Sequence, residues 1–287
     1  MRPEFRNFVI MISFLSILSF SCKKESEQQA LEFDTQTAQD NALAEGVYSD
    51  VNNIANQAIK NGSSGLTTYR FQETTSSYLS VCATVTITPD STGNGGVATV
   101  DFGSTDCLCL DGHYRRGIIN FTYTGPYSDS GSVITTSFDN YYVGKDTTRM
   151  FNVTGSKTVT NLGQNTSGNI HFSINVNGHL IDSDGRNMDW TSTRNREWIS
   201  GSTTLNWQDD RYLITGSAQG TNFEGNSYTM NITHALDIDF SCSWIKEGVF
   251  DLTPTGKATR TFDYGDGTCN NQASITVNGT TFPVTLR

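Results

Sequence analysis

The sequence predicts an all-β protein that carries one N-terminal amphipathic helix. Apolar and polar residues alternate through most of 67–287, whereas helical spacing of apolar residues is confined to 37–61. The chain is also rich in Gly (26 residues) and poor in Pro (5 residues), with Thr, Ser and Asn abundant. We therefore expect a large antiparallel sheet system over 67–287, arranged as a meander, a sandwich or an open barrel.

Composition excludes several classes of protein. The chain has 19 Lys and Arg against 29 Asp and Glu, a formal net charge of −10, so we expect no nucleic-acid partner. Charged residues make up 17% of the 287 residues and hydrophobic residues 36%, a balance untypical of acidic disordered tails, coiled coils and polytopic membrane proteins.

The first 21 residues have the pattern of a targeting segment. Arg2 and Arg6 precede a short apolar run over 8–18, and Ser21 leads directly to Cys22. The run is too short to span a bilayer comfortably. This segment resembles a lipoprotein signal peptide, which implies that Cys22 is diacylated and becomes the mature N-terminus. An ordinary secretory cleavage site followed by a chance cysteine is the alternative interpretation.

The residues after Cys22 carry a second resemblance. The start Cys-Lys-Lys-Glu-Ser-Glu at 22–27, and the ending Phe-Asp-Tyr-Gly-Asp-Gly-Thr-Cys at 262–269, resemble Bacteroidota-type outer-membrane and surface lipoproteins of uncharacterised function. The resemblance implies a protein anchored in the outer membrane through a lipid on Cys22, facing the periplasm or the surface. The polar segment 22–36 would then be a tether.

The helix and the last hairpin have the clearest local signals. Leu43, Val47, Val51 and Ile54 recur at helical spacing, and Asn61-Gly62 provides a stop. Such a helix must cover one end or face of the β body. Asn278-Gly279 predicts a two-residue hairpin turn. The predicted register pairs Val277 with Thr280, Ile275 with Phe282, and Ala273 with Val284.

Two long strands are predicted from strict alternation. Apolar residues occupy every second position over 170–176 and again over 236–244, where the series runs Leu236, Ile238, Phe240, Cys242 and Trp244. One apolar and one polar face per strand is typical of antiparallel sheets.

Five cysteines follow Cys22, and the export signal places them in an oxidising compartment. Alternation puts Cys242 and Cys269 on apolar faces of their strands, so we predict a Cys242–Cys269 disulfide. Cys82 then pairs with Cys107 or Cys109. The alternative is a metal site built from Cys107, Cys109 and His113, but zinc needs four ligands.

One acidic loop has a fragment of calcium-site chemistry. Asp182, Asp184 and Asp189 surround Gly185, and alternating carboxylates with a turning glycine suit Ca²⁺. The segment lacks the bidentate acid that ends such a loop, so an Asp-Gly hairpin turn is the preferred interpretation. We expect no cofactor and no resident metal.

Aromatic residues give the main alternative function. Flat rings that could stack on a sugar are supplied by Trp190, Trp198, Trp207, Trp244, Tyr141 and Tyr142. Large aromatics in β proteins are more often core residues. No nucleophile elbow, zinc-protease motif or phosphate loop occurs in the sequence.

The sequence therefore predicts a lipid-anchored envelope protein acting as a non-enzymatic binding or envelope-organising module. Its expected partners are the membrane, through Cys22, and a glycan or an envelope protein. The alternative is a carbohydrate-binding or carbohydrate-hydrolysing surface lipoprotein.

Overall fold

The fold is described by a computed structural model that covers residues 22–62, 68–70, 83–204, 207–242 and 244–286. It contains one long α-helix, α1 (Cys22–Gly62), one short 3₁₀ turn (Trp207–Asp209) and fifteen strands. The strands are β1 (Thr68–Arg70), β2 (Thr84–Pro89), β3 (Gly96–Asp101), β4 (Cys107–Leu108), β5 (Tyr114–Tyr123), β6 (Val133–Gly144), β7 (Phe151–Gln164), β8 (Ile170–Ile181), β9 (Asn187–Ser200), β10 (Arg211–Thr221), β11 (Ser227–Asp239), β12 (Glu247–Pro254), β13 (Arg260–Asp266), β14 (Gln272–Val277) and β15 (Thr280–Thr285).

All fifteen strands belong to one antiparallel sheet. Each strand pairs with the next strand along the chain, except that β3 pairs with β5 and the two-residue β4 pairs only with β5. The sheet is a meander whose edges are β1 and β15. The predicted all-β class with one helix is therefore confirmed, and the strand order is that of a meander.

The final hairpin forms in the predicted register. Val277 pairs with Thr280, Ile275 with Phe282, and Ala273 with Val284. Asn278 and Gly279 both have positive φ, 50° and 78°, which a two-residue turn of this kind requires at both positions. The turn chemistry alone therefore fixed this pairing.

The helix is longer than the sequence predicted. It ends at Gly62 as expected but continues back to Cys22, so that 22–36, predicted as a polar tether, is helical. No Gly or Pro occurs in 22–36, and Glu, Gln and Ala are good helix formers. Residues from Thr37 onward belong to the same compact unit as the sheet, whereas the described residues before them, 22–36, belong to a second unit. Residues 1–21 lie outside the described residues.

From Thr37 onward, α1 packs across the strands on one side of the sheet, which we call the inner face. Successive turns of α1 contact the strands in the reverse of their order along the chain. These contacts join Thr37 to Asn222 in the β10–β11 turn, Asn41 to Trp190 of β9, Glu45 to Arg194 of β9, Tyr48 to His179 of β8, and Asp50 to Arg115 of β5.

The buried positions of α1 cover more than half of its circumference. Between Thr37 and Ala58 they spread over about 200° at 100° per residue, wider than the stripe of about 100° by which a surface helix touches a flat support. Protein therefore surrounds more than half of α1 over this stretch. Tyr48 is almost fully buried at the centre, where its ring stacks on Trp190 at 5.7 Å between centroids. No described helix has the length and apolarity needed to cross a membrane.

One predicted strand ends early. β11 stops at Asp239, so Phe240, Cys242 and Trp244 lie in the connection to β12 rather than on an apolar strand face. Asp239 causes the stop because its Oδ1 accepts hydrogen bonds from the amide and hydroxyl of Ser241, which turns the chain.

Candidate functional site

A cleft of about 350 Å³ lies on the outer face of the sheet, opposite the face that holds α1. Its floor is a single cross-strand row in which Arg116 of β5 pairs with Tyr142 of β6, Tyr142 with Asn152 of β7, and Asn152 with Ile181 of β8. Its walls come from the β6–β7 and β8–β9 turns, which supply Thr147, Thr148, Met150, Asp182 and Ser183. We call this set of nine residues the cleft.

A β-bulge lies directly beside Arg116 and Tyr142 in the cleft floor. The β5–β6 register shifts immediately after the Arg116–Tyr142 pair, where Gly117 has φ +84° and Asn140 has φ +48°. A side chain at Gly117 would collide with the carbonyl group of Asn140, so only glycine fits there. Arg115 and Arg116 are consecutive residues of β5 in regular register, so they point to opposite faces of the sheet.

Arg116 contacts both Tyr142 and an acidic side chain. The guanidinium carbon of Arg116 lies 3.8 Å from the centroid of the Tyr142 ring, and Nη1 donates to Asp106 Oδ1 at 2.7 Å. A cation over an aromatic face is stabilised by the ring quadrupole. Arg116 therefore covers one face of the Tyr142 ring.

The predicted calcium-loop fragment is a hairpin turn. Asp182 Oδ1 accepts hydrogen bonds from the backbone N–H groups of Asp184 and Arg186, and Oδ2 accepts from Arg186 Nε at 2.8 Å. Asp189 lies on β9 and its carboxylate meets His179 Nδ1 at 2.7 Å. Because Asp182 and Asp189 face different partners, they do not form a common ligand set with Asp184. Within the described residues, no group of three His, Cys, Asp or Glu side chains is placed to hold a metal ion.

Three cations are buried on the inner face under α1, a row that the sequence analysis missed. The row consists of Arg115 of β5, Lys157 of β7 and Arg194 of β9. Arg194 Nη2 binds Glu45 Oε2 of α1 at 2.5 Å, and Lys157 Nζ donates to the carbonyl oxygen of Tyr48. Burial lowers the pKa of Lys157 to about 8, against the opposing effect of Glu45 and Asp50.

Arg115 is the most enclosed cation of this row. Its side chain is 0% exposed, and Nη2 donates at 2.6 Å to both Asp50 of α1 and Asp111. Burial opposes ionisation of Asp111, but hydrogen bonds from Arg115 and His113 hold the pKa of this carboxyl well below its usual range. The acids of α1 and the cations of the sheet therefore neutralise each other in the interior.

A sequence signal for these buried cations exists on β9. Trp190, Ser192, Arg194, Arg196 and Trp198 occupy alternate positions, so that two arginines share the face of two tryptophans. In a strand, every second residue points to the same face. Arginines on the same strand face as large apolar residues therefore indicate buried guanidinium groups that have partners.

The cysteines form the predicted Cys242–Cys269 disulfide, with a Cα–Cα distance of 5.9 Å. The pair was correct although the strand argument was wrong, because the two residues lie in the β11–β12 and β13–β14 connections. Cys107 is disulfide-bonded, whereas Cys109 carries a buried thiol. The proposed partner Cys82 lies outside the described residues. A metal site using Cys107, Cys109 and His113 is not formed, because the Cys107 sulfur is already in a disulfide and His113 Nδ1 faces Asp111 at 3.1 Å.

The predicted aromatic platforms are mostly core residues. Trp190 is 1% exposed and donates to Asn41 of α1, and Tyr141 is fully buried. Trp198 packs against the core, and Trp244 is half-buried. The Trp207 side chain lies outside the described part of the structure. Among the named aromatics, only Tyr142 lines the cleft.

No protein-family model, no curated protein and no solved structure matches this chain.

Proposed function

We propose that the protein is a lipid-anchored, non-enzymatic binding module of the bacterial cell envelope, with the cleft as its ligand site. The observation that supports binding over catalysis is the state of the one carboxylate that lines the cleft. Asp182 accepts hydrogen bonds from two backbone N–H groups and from Arg186, so both of its oxygens are already engaged. A general acid or base needs an oxygen available to the reacting group.

The lining favours a neutral or weakly polar ligand rich in hydroxyl groups. Thr147 and Ser183 supply hydroxyl groups that can donate and accept, and Asn152 adds an amide oxygen. The Thr148 hydroxyl already donates to Asp146, Asn152 Nδ2 donates to the Tyr141 carbonyl, and Arg116 is paired with Asp106. A glycan fits this chemistry, because its hydroxyl groups both donate and accept and its ring can pack beside Tyr142. A carbohydrate-binding lipoprotein is therefore the second candidate, and it uses the same cleft.

Crosslinking in intact cells tests the ligand site. A photo-reactive phenylalanine analogue at Ser183, in the cleft wall, is expected to capture a glycan or an envelope protein. The same analogue at Asn175, an exposed residue of β8, is the matched control and should capture nothing. Equal capture at both positions would contradict the proposal. Turnover of a glycan by the purified protein, abolished in Asp182→Asn, would replace it with a hydrolase.

The anchor is tested separately. Wild-type protein expressed in a Gram-negative host is expected to incorporate radiolabelled palmitate and to fractionate with the outer membrane, and Cys22→Ala should lose both. Cys109→Ala is the control because its thiol is buried and should not affect labelling. Wild-type protein that takes up no label would rule out lipid anchoring while leaving the cleft experiment interpretable.

A further inference from the structure

Arg196 of β9 is a buried cation on the inner face, at the next inward position after Arg194 along the strand. Its side chain is 9% exposed, and its guanidinium carbon lies 4.9 Å from the ring centroid of Tyr212 and 5.0 Å from that of Phe172. Tyr127, from the β5–β6 connection, adds a third ring at 5.7 Å. Neither Nε nor Nη2 has a hydrogen-bond partner in the described part of the chain.

Two further buried donors lie beside this guanidinium. Trp198 occupies the next inward position on β9, pairs across the strands with Tyr212 and stacks on its ring at 5.4 Å. Its indole Nε1 is buried with no partner among the described residues, and the same holds for the Tyr127 hydroxyl. The Tyr127 and Trp198 ring centroids are 6.4 Å apart. We call Arg196, Tyr127, Phe172, Trp198 and Tyr212 the Arg196 cluster.

Arg196 differs from the three buried cations that α1 contacts directly. Arg115, Lys157 and Arg194 each donate to an oxygen that α1 supplies. The carboxylate whose charge acts on Arg196 is Asp210, but its Oδ2 faces the Tyr212 hydroxyl at 3.3 Å. Buried N–H donors of a charged group without an acceptor, here Nε and Nη2, are unfavourable, and buried polar groups in native proteins generally have a partner.

The chemistry of the missing acceptor follows from the donors. The unpartnered donors Nε and Nη2 belong to one guanidinium, and two N–H groups of a guanidinium match the two oxygens of a carboxylate. The indole N–H and the phenol O–H add neutral donors, and the surrounding rings suit an apolar ligand body. We propose that the Arg196 cluster is a second binding site, which takes the carboxylate group of a small, partly apolar organic acid.

Titration with benzoate tests this proposal, with benzamide as the uncharged isostere and phosphate as a different oxyanion. Binding is followed by calorimetry and by tryptophan fluorescence on the full mature chain. Benzoate is expected to bind at least tenfold more tightly than benzamide. Arg196→Met should lose at least tenfold in benzoate affinity, with an unchanged or higher thermal midpoint in the absence of ligand, because the variant removes an uncompensated buried charge.

Control variants separate this site from general electrostatics. Lys257→Met removes one exposed positive charge and should leave benzoate affinity unchanged. Trp198→Phe should weaken benzoate several-fold and remains informative if Arg196→Met does not fold. Asp210→Asn should strengthen binding, since it removes a repelling carboxylate. Absence of benzoate binding, equal binding of benzoate and benzamide, equal affinity in Arg196→Met, or a response to phosphate alone would each overturn the carboxylate site.

Discussion

Buried cations on the strands depend on acids that α1 brings to them. Arg194 is 3% exposed and its partner Glu45 is 25% exposed, so this pair is shielded from solvent on the sheet side. Removing one member of a buried pair leaves the other charge uncompensated, which costs several kcal/mol, and the partial exposure of Glu45 reduces that cost.

Glu45→Gln is therefore expected to lower the free energy of unfolding by about 2–3 kcal/mol, measured by urea denaturation at neutral pH. The matched control is Asp184→Asn. Asp184 is 75% exposed and lies 3.7 Å from Arg186, so its loss should cost less than about 0.5 kcal/mol. Equal losses in the two variants would show that burial under α1 does not matter.

Because of Lys157, the free energy of unfolding should increase as the pH becomes alkaline. Its pKa is about 8 in the folded state, below the model-peptide value of 10.5, because burial penalises the ammonium group. Between these values the unfolded chain binds more protons than the folded chain, so the free energy of unfolding rises with pH from about 8. Above pH 10 the buried tyrosines oppose this trend, since burial raises the pKa of Tyr48 and Tyr228.

The measurement is urea denaturation at intervals between pH 7.5 and 9.8, with Lys157→Met alongside. The wild type is expected to gain stability over this range, and the methionine variant should show a flatter profile. A wild-type curve that falls or stays level from pH 8 would contradict the lowered pKa.

At the scale of single residues, the sequence predicted turn conformations better than it predicted which charged side chains are buried. The Asn278-Gly279 turn sets its own φ values, and the register of β14 and β15 follows from two residues. The partner of Arg194 is Glu45, 149 positions away, and no local pattern contains that information.

At the scale of elements, the docking of α1 depends on close approach to the sheet. Tyr48 lies directly over Gly178 of β8, where any Cβ atom would collide with the phenol ring. Tyr48 OH also donates to the carbonyl of Thr154 at 2.7 Å and accepts from the His179 N–H at 2.9 Å. A glycine in the interior of a strand often marks such a close contact.

Gly178→Val is expected to lower the free energy of unfolding by about 1–3 kcal/mol, because the overpacked side chain displaces Tyr48. Gly46→Ala, on the exposed side of α1, should instead raise it by about 0.5–1 kcal/mol, since a Cβ there meets no atom within 4 Å. Thermal denaturation of both variants is the measurement. Destabilisation by Gly46→Ala would indicate that this side of α1 is covered.

The predicted elements were most accurate where one local rule decided them. The stop of α1 at Gly62 and the alternation of β8 appear as expected. The predicted strand over 236–244 was correct as far as Asp239, where a side-chain hydrogen bond that the apolar alternation does not reveal turns the chain. The start of α1 was missed because the sequence of 22–36 is polar, and polarity does not prevent helix formation by Glu, Gln and Ala.

At the scale of the whole molecule, a meander leaves two sheet edges that could recruit another chain. β15 forms one edge, and Pro283 lies within it. The Val277–Thr280 pair closes the hairpin, so alternate pairs along it are hydrogen-bonded, and the Ser274–Pro283 pair is a non-bonded one. The nitrogen of residue 283 therefore points away from β14, and proline removes the N–H that an added strand would use.

Pro283→Thr restores that outward N–H in a residue with high β propensity. We expect the variant to self-associate more than the wild type, seen as a larger mean mass in concentration-dependent light scattering after size-exclusion chromatography. Val284→Thr is the control, because the N–H of residue 284 bonds back to β14 and the outer edge is unchanged. Matching masses for wild type and Pro283→Thr across the concentration range would mean that another feature protects this edge.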